Sequence, residues 1–500
     1  MQFEHIIIGA GPAGLQMGSL LANNYVILEK SDLICSFFHK FPRQRKLISI
    51  NKGKDLRFDW NSFVDDDVSF RDYTEELYPK VEDYLKYAED YVKRKNLNIH
   101  FNRTLRSLEK RSDGLFYING GEYIGKNIFV GTGLKPRPIN INVHPSIKVF
   151  TYENMPLDRE IYRDKTVVIV GSGNAALETA DFIAPVTKFT TINGRDLRAY
   201  KTHYPGHARS VNFTSVDSFF LKAGSFNVYA PENSAKRYTH TLEYRLLKEI
   251  LETGNSDIIH KIDIAIFCTG FYFENYPLVS FIEHCPTSGF PITTKNYESI
   301  KTPGIFFIGA TSQQRDYKKG TSAFIHGFRY NCQYIARYLK GLDYEILNRE
   351  DMIKMVFRQL NESSCLLHRF DYFCDLIEKI DENTWKYTKE IPYEKPTKDN
   401  QFTIRLGYTN PFPNDSFSPG SFTEPKDAHL AIFIHPLINT KDKLFEIGED
   451  VFNEFSDKLW HIKPFMLFLD VFENKITIDE MRKQILMIPD KRGGRDLFWK

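Results

Sequence analysis

Five hundred residues exceed one compact domain, and at about 150 residues apiece the length suggests roughly three. Apolar residues make up 42% and charged residues 26%, which excludes a disordered chain; 66 basic against 64 acidic residues leave a net charge of +2, too small for nucleic-acid or anionic-membrane binding by bulk charge. No apolar run reaches the roughly 18 residues that span a bilayer, and six cysteines without a CxxC pair argue against a disulfide scaffold or a structural zinc site.

Phe3 to Ile8 ends in three isoleucines and reads as a buried parallel strand. Gly9-Ala10-Gly11-Pro12-Ala13-Gly14 follows, then a helical pattern from Leu15 to Leu21 and a second strand, Tyr25 to Leu28, closed by Glu29 and Lys30. Tyr73 to Lys95 carries Leu77, Val81, Tyr84, Leu85, Ala88 and Val92 at helical spacing. Strands are predicted at 98–101, 106–108, 115–118 and 123–130, the last running into Gly131-Thr132-Gly133. The opening arrangement then recurs: strand Thr166 to Val170, turn Gly171-Ser-Gly173-Asn174-Ala175-Ala176, a helix through Ile183, and a strand from Lys188 to Ile192. Ile262 to Phe267 is a further apolar strand ending in Cys268-Thr269-Gly270; Gly304 to Ile308 is another, ending in Gly309-Ala310. A helix is expected to start near Thr321-Ser322-Ala323 and run to Leu339. From Glu345 onward the chain is aromatic-rich and glycine punctuation thins. The predicted fold is therefore α/β, with two Rossmann-like dinucleotide-binding domains plus a C-terminal α+β module. Segments 1–150 and 276–344 form the two parts of an FAD domain, 151–275 an inserted NADPH domain, and 345–500 a module of unassigned role.

A GxGxxG alone is a weak signal; between a strand and a helix, with an acid closing the next strand, it gains a mechanism. Gly9 permits the tight turn, Gly11 lets backbone approach a pyrophosphate, and Gly14 brings helix and strand together, while the helix N-terminus faces the phosphates. Glu29 is suited to a ribose diol, which fits the adenosine half of FAD. In the second turn no carboxylate stands where the first unit has Glu29. Arg195 stands at the strand tip instead, and a guanidinium suits a ribose 2′-phosphate, so NADPH is expected rather than NADH. Lys188, Arg198 or Lys201 could share that role. Thr321, Ser322 and Ala323 would aim N–H groups at the flavin pyrimidine. Thr202-His203-Tyr204-Pro205-Gly206-His207 has two histidines four apart, but Pro205-Gly206 breaks the helix that a metal pair would need.

Two such units in one chain resemble the two-dinucleotide-binding-domain flavoproteins, which include class B flavin-dependent monooxygenases, thioredoxin reductases and glutathione-reductase-like enzymes. Gly131-Thr132-Gly133 and Cys268-Thr269-Gly270 look like that superfamily's crossings between domains, and Gly304 to Ala310 like its second FAD motif. Lys46 to Lys52, Leu56 to Ser62, Thr202-His203-Tyr204, Asp316 to Lys319, Phe324 to Tyr330, Asp427-Ala428 and Phe433-Ile434-His435-Pro436 resemble the FAD-dependent oxidoreductase domain-containing protein 2 group, the endoplasmic-reticulum flavoprotein associated with degradation, and its bacterial relatives. Here Glu4 stands where a signal peptide would be basic, Gly9, Gly11 and Pro12 interrupt the apolar stretch, and the sequence ends Asp496-Leu-Phe-Trp-Lys500. A cytoplasmic location is expected instead of a secretory one.

A disulfide reductase needs a dithiol beside the flavin, yet Cys35 has no second cysteine before Cys268. The resemblance to class B monooxygenases implies that NADPH reduces FAD and that a C4a-(hydro)peroxyflavin then oxygenates a small metabolite or amino-acid-derived substrate, most readily at nitrogen or sulfur. It also implies that Asn51 lies near C4a, and that Asp59 and Trp60 lie beside the flavin and nicotinamide. The family's FxGxxxH is replaced by Val149-Phe-Thr-Tyr-Glu-Asn154, which leaves open an NADPH oxidase or flavin reductase, or a flavin-stabilised partner-binding protein. The expected partners are substrate and O2, with neither nucleic acid nor membrane. A homodimer or protein contact through the C-terminal module is the remaining possibility.

Overall fold

The computed structural model describes residues 1–21, 23–47, 51, 60–64, 68–139, 142–171, 173–193, 226–229, 251–253, 262–317, 320–407, 434–448 and 455–488. They form two compact units that divide between residues 332 and 333.

The first unit holds two parallel sheets. In one, β1 (Gln2–Ile8) lies between β2 (Tyr25–Leu28) and β6 (Tyr123–Val130); β3 (Ile99–His100) extends it beyond β2, and β14 (Ile305–Phe307) pairs with the C-terminal half of β6. β4 (Leu108–Lys110) and β5 (Phe116–Ile118) form an antiparallel meander on the other half of β6. Ile6, Ile7, Val26, Ile27, Ile128 and Ile305 are fully buried, as apolar strands covered on both faces should be.

The second sheet has the order β11 (Phe226–Tyr229), β10 (Phe189–Asn193), β9 (Thr166–Val170), β12 (Ile264–Phe267), β8 (Lys148–Thr151), all parallel. The two chain crossings between the sheets run side by side: β7 (Lys135–Pro136) pairs antiparallel with β13 (Phe271–Tyr272). In both sheets the connections diverge to opposite sides of one strand, β1 and β9. That opens a crevice at the strands' carboxyl ends, where both glycine turns lie.

Helix α1 (Pro12–Leu21) follows the first turn, with Pro12 starting it where a missing N–H costs nothing. α2 (Ser36–Lys40) is a short helix between β2 and β3. The periodic stretch 73–95 is helical only as α3 (Val81–Lys95). Its first turns are not helical, because Leu47 N–H donates to the Pro79 carbonyl and Asn51 N–H to that of Leu77, and Lys46 bridges to Lys80. α4 (Asn174–Ile183) follows the second turn, and α5 (Ile325–Leu339) runs across the division between the units.

The second unit is an antiparallel sheet ordered β15 (Glu345–Leu347), β17 (Trp385–Pro392), β16 (Phe373–Lys379), β18 (Gln401–Gly407), β19 (His435–Thr440), β20 (Leu444–Glu446). α6 (Arg349–Glu362) and α8 (Lys463–Phe472) bury Met352, Val356, Leu360, Phe465 and Phe468 against Trp385, Phe402 and Ile404. α7 (Ser364–His368) joins α6 to the sheet, and α9 (Ile478–Leu486) follows α8.

Candidate functional site

At the first turn three distant segments meet through missing side chains. A Cβ on Gly9 (φ +104°) would lie 2.5 Å from the Gly131 carbonyl oxygen, one on Gly14 1.9 Å from that of Gly9, and one on Gly309 (φ +63°) 2.7 Å from the Ala13 methyl. These contacts draw β1, β6, the end of β14 and α1 together more closely than any side chain allows. Gly11 differs: a Cβ there meets nothing within 4 Å. It faces open space at the N-terminus of α1, where free N–H groups favour an anion.

Glu29 is 3% exposed, and its carboxylate accepts the Ala10 N–H at 2.7 Å and the Ser31 N–H at 2.9 Å, which fixes the acid at the edge of the turn. Lys30 beside it is exposed, Thr132 backs Gly9, and Gly133 is left-handed at φ +68°. The open cradle, the oriented helix end and the buried acid fit a dinucleotide pyrophosphate and its ribose.

On the other side, the segment 60–64 is held by buried side chains. Gln16 Oε1 accepts the Val64 N–H at 2.8 Å, Tyr87 OH accepts the Phe63 N–H at 2.7 Å, Tyr91 OH donates to the Val64 carbonyl at 3.1 Å, and Arg329 Nη1 donates to that of Ser62 at 3.1 Å. This bracing sets Trp60 edge-on against His326, with ring centroids 4.6 Å apart. Asn51 is 7% exposed; its amide nitrogen donates to the Thr74 carbonyl at 2.7 Å, and its Oδ1 is buried without a partner. Asp59 lies outside the described residues.

The segment expected to open a helix at Thr321 does not. α5 begins at Ile325, and the buried Asp316 carboxylate takes the Ser322 N–H at 3.0 Å and the Ser322 hydroxyl as well. Thr321 accepts the Phe324 N–H, and Ala323 is exposed. The N–H of Ser322 is therefore directed at Asp316, which corrects the expectation of a helix end aimed from 321–323.

At the second turn Gly171 (φ +125°) packs its α-carbon where a Cβ would lie 2.1 Å from the Cys268 carbonyl oxygen, bringing the ends of β9 and β12 together. Gly173, like Gly11, faces open space, and α4 begins there with Asn174 and Ala175. Beside it is a shallow cleft lined by Arg137, Thr151, Tyr152, Ala175, Cys268 and Thr269, among others. Gly270 is left-handed (φ +85°), and its carbonyl accepts the Arg137 N–H. At the cleft wall the Tyr152 hydroxyl donates to Glu178 at 3.0 Å, and burial pushes the Glu178 carboxyl up to about 7. Arg195 lies outside the described residues, as do Thr202-His203-Tyr204. No grouping of metal-ligating side chains occurs among the described residues, and none of their helices is long and apolar enough to cross a membrane.

All six cysteines are free. Cys35, Cys268 and Cys332 are buried, and burial raises all three thiols, Cys268 to about 12. No dithiol stands by either turn among the described residues.

With this geometry, residues 6–309 match the pyridine nucleotide-disulphide oxidoreductase family. The chain belongs to that family. The FAD-dependent oxidoreductase domain-containing protein 2 of Mus musculus is 28% identical to it, over 93% of this chain and 83% of the relative. Two solved structures share the fold of this pyridine nucleotide-disulphide oxidoreductase. A bacillithiol disulfide reductase from Bacillus cereus superposes with a TM-score of 0.51 at 20% identity, covering 68% of this chain and 99% of its own. A variant flavin monooxygenase from Stenotrophomonas maltophilia gives 0.50 at 14%, covering 68% and 98%. The protein is thus an FAD- and NAD(P)-dependent oxidoreductase of two Rossmann-like domains with an added antiparallel module.

Gln16 is the residue at this site that the sequence under-reported. It is polar, fully buried and set in an apolar helix, and that misfit was the available signal.

Proposed function

We propose that this oxidoreductase is an NADPH-dependent monooxygenase that places one atom of dioxygen on nitrogen or sulfur of a small metabolite or amino-acid-derived substrate. The observation that carries the reading is the state of the cysteines. Relay of electrons through an internal dithiol needs two thiols in reach of each other near the flavin, and here all six are free, with Cys35 and Cys332 buried and their thiols raised. Electrons therefore leave the cofactor for an external acceptor. When bound, FAD supplies two-electron chemistry between a nicotinamide and dioxygen.

The chain's own residues support the rest. The α1 N-terminus and the Gly11 cradle would hold a pyrophosphate, and buried Glu29 would hold the ribose. Gly173 and the α4 N-terminus would do the same for NADPH. Trp60, pressed on His326, forms an aromatic wall that helps keep water out. Asn51 keeps one amide N–H beyond the one given to Thr74, together with an unpartnered Oδ1, so it can orient a polar group without acting as an acid. Orientation and dryness are what heteroatom oxygenation asks of a site poor in acid–base residues.

The test is stoichiometry. With a panel of amines and thioethers, each NADPH consumed should match one O2 and one oxygenated product, the second oxygen atom leaving as water. Hydrogen peroxide equal to the NADPH consumed with every substrate would refute oxygen insertion and identify an NADPH oxidase.

A further inference from the structure

The chain between β2 and α3 belongs by sequence to the FAD half, yet part of it packs on the other half. Phe41 is 4% exposed and sits in one apolar cluster with Val167, Ile169, Leu177 and Ile266, the core formed by β9, α4 and β12. Its ring stacks on Tyr152 with centroids 5.4 Å apart and planes 14° from parallel, and it meets Phe271 edge-on at 5.4 Å. Two residues on, Arg43 donates its backbone N–H to the Tyr152 hydroxyl at 3.1 Å and its Nη2 to the Met155 carbonyl at 2.8 Å. Tyr152 passes the connection to Glu178 of α4, the helix whose N-terminus lies at the second glycine turn. On the FAD side the same stretch is anchored by the Cys35 N–H on the Ala10 carbonyl, inside the first turn, and by the Arg45 carbonyl, which accepts the Val81 N–H at the start of α3 at 3.1 Å.

We propose that Arg43 is a positioning residue for electron transfer: with Phe41 and through Tyr152 and Met155, it fixes the α4 half of the unit against the α1 half, so that a nicotinamide held at Gly173 meets the flavin in one orientation. The crossing pair β7–β13 is only two residues long on each side and makes a poor constraint by itself. The strap 37–45 is a third connection, joining one glycine turn to the helix that starts at the other. Passing two electrons and a proton between stacked rings is sensitive to displacement, and about 1 Å of misplacement can cost a factor on the order of 100 in rate. The proposal rests on the second turn being the NADPH site and is independent of where the reduced flavin sends its electrons.

The experiment is anaerobic rapid-mixing reduction of the holoprotein by NADPH, with amide hydrogen exchange of residues 37–45 measured on the same preparations. Arg43→Ala should lower the limiting reduction rate by about tenfold or more, leave the NADPH dissociation constant and flavin reduction potential unchanged, and speed exchange in the strap. Arg43→Lys, which keeps a cationic donor for the Met155 carbonyl, should restore most of the rate. Tyr152→Phe, which keeps the stacking on Phe41 and loses only the hydroxyl, guards against a folding artefact and should show a smaller loss of the same kind. Wild-type rates in both Arg43→Ala and Tyr152→Phe, or a loss confined to NADPH affinity, would overturn the proposal. If NADPH fails to reduce the wild-type flavin, the reading of the second turn falls instead. The exchange rates then decide the strap alone, and unprotected amides at 37–45 refute it.

Discussion

Gly11 and Gly14 share one turn and meet opposite surroundings, so the same small change at each separates cofactor binding from packing. A methyl group on Gly14 would lie 1.9 Å from the Gly9 carbonyl oxygen, while one on Gly11 has no protein atom within 4 Å. Carbon and oxygen rarely approach closer than about 3.3 Å, so Gly14→Ala forces β1 and α1 apart by more than about 1 Å and should destabilise the fold by about 1–3 kcal/mol, flavin or no flavin. Gly11→Ala has no such clash and should leave the stability of flavin-free protein within about 0.5 kcal/mol of wild type. Its methyl group stands where a pyrophosphate must approach backbone, and FAD affinity should fall about 100-fold, equivalent to about 2.7 kcal/mol. Urea unfolding of the flavin-free protein gives the first quantity and flavin-fluorescence titration the second. FAD bound by Gly11→Ala as tightly as by wild type would show that the open side of this turn is not the phosphate cradle.

Three other outcomes are expected. Glu473, with its side chain 2% exposed, meets Arg349 Nε at 3.1 Å, Lys379 Nζ at 3.2 Å and Lys475 Nζ at 2.7 Å; burial by itself would raise its carboxyl, but Lys475, Arg349 and Lys379 together hold it below its ordinary value. A depressed carboxylate stabilises above its unfolded pKa and loses that contribution as pH falls through the folded one, so Glu473→Gln should cost about 1–2 kcal/mol near pH 7 in urea unfolding, discounted for the partly solvated cations, with the difference shrinking below about pH 4. Glu178 is the opposite case: burial raises its carboxyl to about 7, so its contribution is full below the unfolded pKa and is lost as pH rises towards that value. Glu178→Gln should therefore melt close to wild type at about pH 5 and above it at about pH 8, and equal melting at both would remove the assignment. Arg195→Ala should lower kcat/KM for NADPH by about 10–100-fold, the worth of one charge-assisted hydrogen-bond partner, with NADH turnover unchanged; an unaltered preference between the two would place the 2′-phosphate contact elsewhere.

The strands that end in glycine were readable because burial on both faces leaves an apolar run and the turn leaves its own mark. Tyr123 to Val130 and Thr166 to Val170 have the observed limits. Local pattern failed where partners far along the chain decided the backbone. Residues 73–80 have helical spacing, but the carbonyls of Leu77 and Pro79 are taken by Asn51 and Leu47, contacts that no window of sequence contains. Thr321 to Phe324 look like a helix start, yet Asp316 is the better partner for Ser322. Nothing near Phe41 in sequence reveals that its ring faces Tyr152, more than a hundred residues away. At the candidate site the backbone-shaping glycines were legible, while Gln16 and Glu178, which act through distant partners, were visible only as polar interruptions in their helices.

The cradle around Gly11 is flanked by Gly131, packed on Gly9, and by Gly309, packed on Ala13, with the whole α4 half of the unit encoded in between. A growing polypeptide therefore exposes its first glycine turn long before the last wall of that cradle has been synthesised. Flavin capture in its final form has to await translation of β14 and the loop beyond it, which makes loading of the coenzyme a late event in the maturation of this protein, and one that fragments stopping short of Gly309 should be unable to complete.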